Sequence, residues 1–312
     1  MKTLRSVLLI VVLVVLSTLI VITVTPTTRD YSTSNNYWNG LSKLVRLLEL
    51  KGVEVVVLDE SIAPLSSEYR AGKAMLLVIS PDVEFSDDDI RCIQDFLERG
   101  GVLLVLDDFH EGNSLLKGLN IPLKFYRAPL FDRVFYSKRE CFPLIIIEDL
   151  NMTLLMNYPT ALSVERGGEW NIDIIAYSSE YSFLDIDLDS RLSTNDTQGP
   201  LPVVVVLKRE HGEGVVVVCS DPSILINCMI EKYDNFRFIE YLIRSYGVSI
   251  VVVDDYHRRR TLLESIRSEV EEYVEILTLV LRDPLCRFVI VIVVTVLLLV
   301  SIHSLLSKYY ED

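Results

Sequence analysis

Unbroken runs of β-branched and aliphatic residues recur through the middle of the chain. Residues 53–58 read VEVVVL, 74–80 AMLLVIS, 102–106 VLLVL, 202–207 PVVVVL and 215–219 VVVVC. A strand with one wet face alternates apolar and polar side chains, whereas a strand that is apolar at nearly every position must be covered on both faces. Amphipathic helices lie between these runs. Residues 40–51 place Leu41, Leu44, Val45, Leu47 and Leu48 on one helical face, and Gly52 follows as a C-terminal stop. Residues 86–99 open on Ser86 with Asp87, Asp88 and Asp89 in the first turn, where the helix dipole favours negative charge, and halt at Gly100-Gly101. A third helix over 235–246 ends at Gly247, and 249–253 is a last strand. The expected fold class is α/β, a doubly wound and mostly parallel sheet.

The rhythm breaks over residues 110–200, where short apolar runs sit among polar and aromatic residues. This stretch reads as an inserted β-rich or mixed subdomain. Two further runs, 7–24 and 288–306, contain no Asp, Glu, Lys or Arg. Each approaches the ~20 residues that a helix needs to cross a bilayer, so two transmembrane helices are expected to flank the domain. The expected order is a tail (1–6), a transmembrane helix (7–24), a tether (25–39), the α/β domain (40–109 and 201–254) around the insertion, a juxtamembrane helix (255–283), a second transmembrane helix (288–306) and a tail (307–312). Lys2 and Arg5 precede the first run, which predicts a cell-membrane protein with both termini cytoplasmic and the large domain extracytoplasmic. Leu263, Ile266, Val270, Tyr273, Leu277 and Val280 repeat at heptad spacing. That stripe either packs on its own domain or joins two copies through 255–282.

The net charge of −14 excludes a nucleic-acid partner, whose backbone requires clustered Lys and Arg. Five cysteines occur without a C-x-x-C pair and read as buried free thiols, with a Cys141 pairing to Cys219 or Cys228 as the alternative, so neither a zinc ribbon nor a redox motif has support. No cofactor is implied.

Ligands of doubly wound sheets bind beyond the carboxyl ends of the strands. Three polar clusters fall at such places. Asp107-Asp108-Phe109-His110-Glu111 offers carboxylates and an imidazole, with Asp107, His110 and Glu111 as weak metal-ligand candidates against the blander reading of a polar loop. His211-Gly212-Glu213 contains a His-x-Glu pair, but it lies in a short turn between strands. Cys219-Ser220-Asp221-Pro222 ends a strand; Cys219 belongs to the strand, and no histidine is close in sequence to serve it as a base. Asp107, Asp108, Ser220, Asp221 and Asn227 are the candidate ligand- or partner-binding residues, and no catalytic residue is expected.

The segment 215–243, in which a strand leads to Ser-Asp-Pro-Ser, then Asn, then Asp-Asn opening a helix, carries a family resemblance. So do Tyr31, Ser32 and Ser34 before Gly40-Leu41-Ser42, Gly52 before a strand, and Arg99-Gly100-Gly101. Together they resemble an uncharacterised prokaryotic family of membrane-anchored proteins with a glutamine-amidotransferase-like domain, often encoded beside MoxR-type ATPases. Gliding-motility and intraflagellar-transport-like domains share the layout. The resemblance covers about residues 31–109 and 200–254. It implies a catalytically silent domain, because Leu106-Asp107-Asp108 stands where an amidotransferase carries its nucleophile. The expected function is therefore non-enzymatic binding or assembly at a membrane, with protein partners. The alternatives are a membrane-bound metal-dependent hydrolase using strand-end carboxylates, or an accessory subunit of a transport complex.

Overall fold

The computed structural model describes residues 27–67, 69, 71–165, 169–209, 213–262 and 264–270, together with isolated positions 11, 14, 17, 18, 21, 273 and 282. The chain divides into two compact units, Pro26–Arg259 and the two terminal segments together.

Within the larger unit the chain runs α1 (Ser42–Leu50), β1 (Glu54–Leu58), α2 (Pro64–Ser67), β2 (Ala74–Ile79), α3 (Asp87–Glu98), β3 (Val102–Leu106) and α4 (Gly112–Gly118). Short strands follow: β4 (Leu123–Phe125), β5 (Leu130–Asp132), β6 (Leu144–Ile147), β7 (Met152–Leu155), β8 (Leu162–Val164), β9 (Trp170–Tyr177), β10 (Ser182–Leu184) and β11 (Thr197–Gln198). Then come β12 (Pro202–Arg209), β13 (Val215–Cys219), α5 (Asn235–Ser245) and β14 (Ile250–Asp254).

Seven strands form one sheet in the order β1-β14-β2-β3-β13-β12-β9. The first five are mutually parallel, while β12 runs antiparallel to both β13 and β9. The unbroken apolar runs have the expected cause, since side chains alternate between two separate cores. Met75, Leu77, Leu104, Val217 and Val253 join Leu44, Leu48, Phe238 and Leu242 of α1 and α5 on one face. Leu76, Val78, Leu103, Val105, Val216 and Val252 meet Ile93, Phe96, Leu115 and Leu116 of α3 and α4 on the other. Ser86 caps α3 through a capping box with Asp89.

Residues 110–200 do not form a separate subdomain. Strand β9 from this stretch is the edge strand of the main sheet, paired with β12 from Trp170 to Tyr177. The β6–β7 hairpin buries Ile145, Ile147 and Leu154 in the core with α5. Local polarity hid this, because an edge strand with one covered face keeps polar residues such as Asn171 and Asp173.

Two expectations are overturned. Among the described residues no helix is long and apolar enough to cross a membrane, so the flanking transmembrane helices are not supported, nor is the two-span cell-membrane localisation built on them. The longest described helix of the domain, α3, has 12 residues, about 18 Å at 1.5 Å per residue, and carries three aspartates in its first turn. Run 288–306 lies outside the described residues, as does most of 7–24. The long helix expected from 255 also starts later. Residues 255–261 are not helical; helical residues begin at 262, where Thr261 and Glu264 form a capping box. Heptad positions 263, 277 and 280 lie outside the described residues.

Phe96 is wholly buried, and its ring lies 2.4 Å from where a Cβ on Gly101 would stand. Phe96→Ala should cost about 3–5 kcal/mol in urea denaturation. Gly101→Ala should also destabilise, and the double variant should lose less than the sum of the two single variants, because removing the ring relieves the clash.

Candidate functional site

The parallel strands deliver their polar exits to one edge of the sheet. Strand β3 exits through Asp107, Asp108 and His110, β2 through Ser80 and Asp82, β13 through Ser220 and Asp221, and β14 through Asp254, Asp255 and His257. The exits are held to one another by backbone hydrogen bonds. Asp107 N donates to Cys219 O, Ser80 N to Leu106 O, Glu111 N to Pro81 O and Asp82 N to His257 O.

Asp107 is fully buried. Gly112 N donates to its Oδ2 at 2.8 Å and His110 N to its Oδ1 at 3.3 Å. Burial pushes the Asp107 carboxyl up to about 6, against these donors. His110 is half-exposed. Its Nδ1 stands 2.7 Å from Ser80 Oγ, 3.2 Å from Asp108 Oδ1 and 3.7 Å from Asp107 Oδ1, while its Nε2 is 3.9 Å from Asp82 Oδ1. The hydrogen bond to Asp108 raises the His110 pKa above the ordinary histidine range. Ser80 has φ 46°, a left-handed conformation unusual for a residue with a side chain, where β2 leaves the sheet.

Asp221 is also fully buried, and it accepts from Asn157 N at 2.6 Å and Ser223 N at 2.7 Å. Burial outweighs these donors and pushes its carboxyl up to about 8. Tyr31 closes this side. Its hydroxyl lies 3.4 Å from Ser223 Oγ, Arg258 stacks 5.1 Å from its ring centroid, and burial with the charges of Asp108 and Asp221 raises its pKa.

The expected residues therefore divide. Asp107, Asp108, Ser220 and Asp221 do lie at the edge, and Asp107, Asp108 and His110 converge, with one ligand atom from each within 4.8 Å of the others. Glu111 is not in that group; its carboxylate lies 3.6 Å from Arg127. Asn227 serves the backbone elsewhere: Lys43 N donates to its Oδ1, and its Nδ2 donates to Asn35 O and Tyr37 O, which fixes the N-terminal loop against α1. Cys219 is wholly buried, and burial lifts its thiol far above the reactive range. Cys141, Cys219 and Cys228 are free thiols, and Cys92 Sγ donates to Ile62 O. His211 lies outside the described residues.

Residues 33–243 match a family described as a domain of unknown function, DUF4350. The chain belongs to the DUF4350 family. The match runs straight through residues 110–200, the stretch that supplies β9 to the main sheet. No curated protein matches the chain. Among solved structures, one described as the mmIFT52 N-terminal domain is similar at 12% identity and a TM-score of 0.53, over 71% of this chain and 94% of that one. That likeness is one of fold alone. The β-galactosidase Gan42B (9% identity, TM-score 0.36) aligns with 72% of this chain and 28% of its own length. The exo-β-1,4-mannosidase Op5Man5 from Opitutaceae bacterium strain TAV5 (12% identity, TM-score 0.27) aligns with 56% and 24%. The DUF4350 chain thus spans about a quarter of those two enzymes.

The edge of this DUF4350 domain also contains residues beyond the expected set. Leu106-Asp107-Asp108-Phe109-His110 and Val253-Asp254-Asp255-Tyr256-His257 are the same pattern, strand then Asp-Asp-aromatic-His, at the ends of the two strands that flank β2. In both, the histidine N–H donates to the first aspartate, His110 to Asp107 at 3.3 Å and His257 to Asp254 at 3.2 Å. The repeat lies in the sequence itself, where 256–260 also read as the start of the expected helix. His257 is buried under Phe85, 3.7 Å between ring centroids, with Nδ1 2.8 Å from Asp254 Oδ2 and Nε2 3.3 Å from Asp89 Oδ2. Burial opposes charge on His257, yet the two carboxylates outweigh it and raise its pKa. Arg29 pairs with Asp255, and Arg258 donates to Ile79 O and Asp30 O.

Asp107, Asp221, His110 and His257 all bind protons more tightly folded than unfolded. A raised folded pKa contributes its stability in full below the unfolded pKa and loses it as pH rises through the folded value. Stability measured by urea unfolding should therefore fall between about pH 4 and pH 8. Asp221→Asn should cost about 1–3 kcal/mol throughout, since its amide NH2 confronts one of two N–H donors, and should make the slope shallower.

Proposed function

We propose that this domain is a non-catalytic binding module that docks a protein partner on the carboxyl edge of its sheet. The observation that carries this reading is the state of the strand-end groups. The thiol at these strand ends, Cys219, is sealed in the core, and Asp107, which the family resemblance would set where an amidotransferase carries its nucleophile, has its carboxylate pinned by Gly112 N–H. What the edge offers to solvent is recognition chemistry. Phe109 and Tyr256, the aromatic members of the two turns, are both exposed, and half-exposed His110 and partly exposed Asp82 lie with them. Exposed rings beside carboxylates suit a partner that presents Lys or Arg, through cation–π and ion-pair contacts. A degenerate amidotransferase-like ancestry fits this silent edge, and a MoxR-type ATPase is the first partner to test.

Co-purification of such an ATPase with the full chain, reconstituted from purified components, tests the reading. Asp82→Lys and Tyr256→Ala should each weaken the complex at least about tenfold, the cost of a lost interface anchor of ~1.4 kcal/mol or more, while Cys219→Ala should leave it unchanged. Equal affinity for all variants would remove the edge from consideration.

The convergence of Asp107, Asp108 and His110 favours a second reading, a metal-dependent hydrolase. Cation-dependent hydrolysis of an activated phosphate or acyl ester that disappears in Asp108→Asn would select it over the first.

A further inference from the structure

The two Asp-Asp-aromatic-His turns are built alike but are not compensated alike. At the end of β14, His257 lies between Asp254 and Asp89, and Asp255 has Arg29. At the end of β3, Asp107 and Asp108 share a single imidazole, and no Lys or Arg among the described residues stands within ion-pair distance of either. The second turn is closed, with its histidine buried, whereas the first is open, with its histidine half-exposed.

The donors of the open turn are already oriented. Gly112 N–H holds Asp107 by Oδ2, His110 N–H reaches its Oδ1 at 3.3 Å on the imidazole side, and Phe109 N–H holds Asp108 Oδ1 at 2.6 Å. Such outer hydrogen bonds are what aim carboxylates at a shared ion. A mutual spread within 4.8 Å is about the width of the donor shell around one cation at ~2.0–2.3 Å. An independent observation lies on the neighbouring strand. Ser220 is completely buried, and its Oγ has no hydrogen-bond partner among the described residues. Cys219 is in register with Leu106 and accepts from Asp107 N, so Ser220 and Asp107 are the first residues past two neighbouring strand ends. A buried hydroxyl oxygen without a partner is uncommon, and here it lies at the strand end next to the one that carries the carboxylate pair.

We propose that Asp107, Asp108 and His110 form a binding site for one divalent first-row cation, with the Ser220 hydroxyl as an adjoining oxygen. Two carboxylates and an imidazole are a mixed hard and borderline set, suited to Mn2+ or Zn2+ rather than to a thiolate-seeking ion. The exposed side of His110 is the route of entry. Asp185, Asp187 and Asp189 also converge, but they include no imidazole and two of the three are exposed; they serve as the control.

The test is titration of the purified, metal-stripped full chain with Mn2+, followed by loss of the free-ion electron paramagnetic resonance signal, with Zn2+ competition and thermal melting alongside. One Mn2+ should bind per chain, displaceable by Zn2+, and raise the melting temperature. His110→Gln and Asp108→Asn should each raise the Kd at least tenfold, Ser220→Ala should raise it less, and Asp187→Asn should leave it unchanged. His110 is half-exposed, so its variant should keep the circular dichroism spectrum of the parent. Absence of saturable binding by both ions, an unchanged Kd in His110→Gln and Asp108→Asn, or loss of binding in Asp187→Asn would each overturn the site. None of these readouts involves a protein partner, so they stand apart from the docking reading.

Discussion

Four parallel strands that are covered on both faces have nowhere to place a polar side chain except at their ends. This constraint organises the rest of the molecule. Every position of β2, β3 and β13 is buried, so each strand must discharge its first polar residues together, at the same edge. Parallel pairing then sets those exits side by side, and the result is a row of carboxylates inside a low-dielectric rim.

Such a row is costly, and the chain offsets it in three ways. Backbone N–H groups point at Asp107 and Asp221, an interaction that favours the ionised form but is outweighed by burial at both. A cation is brought from far along the chain, with Arg29 on Asp255. Histidine supplies a proton that can be held or released, buried at His257 and half-exposed at His110. Because β2 leaves between the two matching turns, its exit is clasped on both sides. Asp82 N donates to His257 O, and Asp82 Oδ1 faces His110 Nε2. The left-handed turn at Ser80 belongs to this clasp and puts its hydroxyl on His110.

Much of the framework was legible. The apolar runs, the Ser86 cap with its three aspartates, and the glycines after α1, α3 and α5 each encode a local preference that the tertiary structure keeps. The edge strand β9 was not legible, because its partner β12 begins 25 residues after Tyr177, and long-range pairing leaves no local periodicity. Asn227 looked like a binding residue because a polar side chain after a strand end reads the same whether it faces solvent or braces a loop. Its amide is consumed by Lys43, Asn35 and Tyr37, contacts separated from it by more than 180 residues. His257 and Arg258 were hidden for a different reason. The charged run 257–260 resembles an exposed helix start, and only the packing of Phe85 and the carboxylates of Asp254 and Asp89 make burial of that imidazole tolerable.

The sequence by itself determined that this chain builds a parallel sheet covered on both faces and that carboxylates gather where its strands end, since both follow from which residues are apolar and where the runs stop. It also contained the repeated Asp-Asp-aromatic-His pattern. Only the tertiary structure decided that the two copies differ. One is sealed by Phe85, Asp89 and Arg29, while the other opens beside Ser220 with two carboxylates and one imidazole. The physical reason is that the cost of a buried charge depends on which partners the fold brings within a few ångströms, and those partners come from segments far apart along the chain.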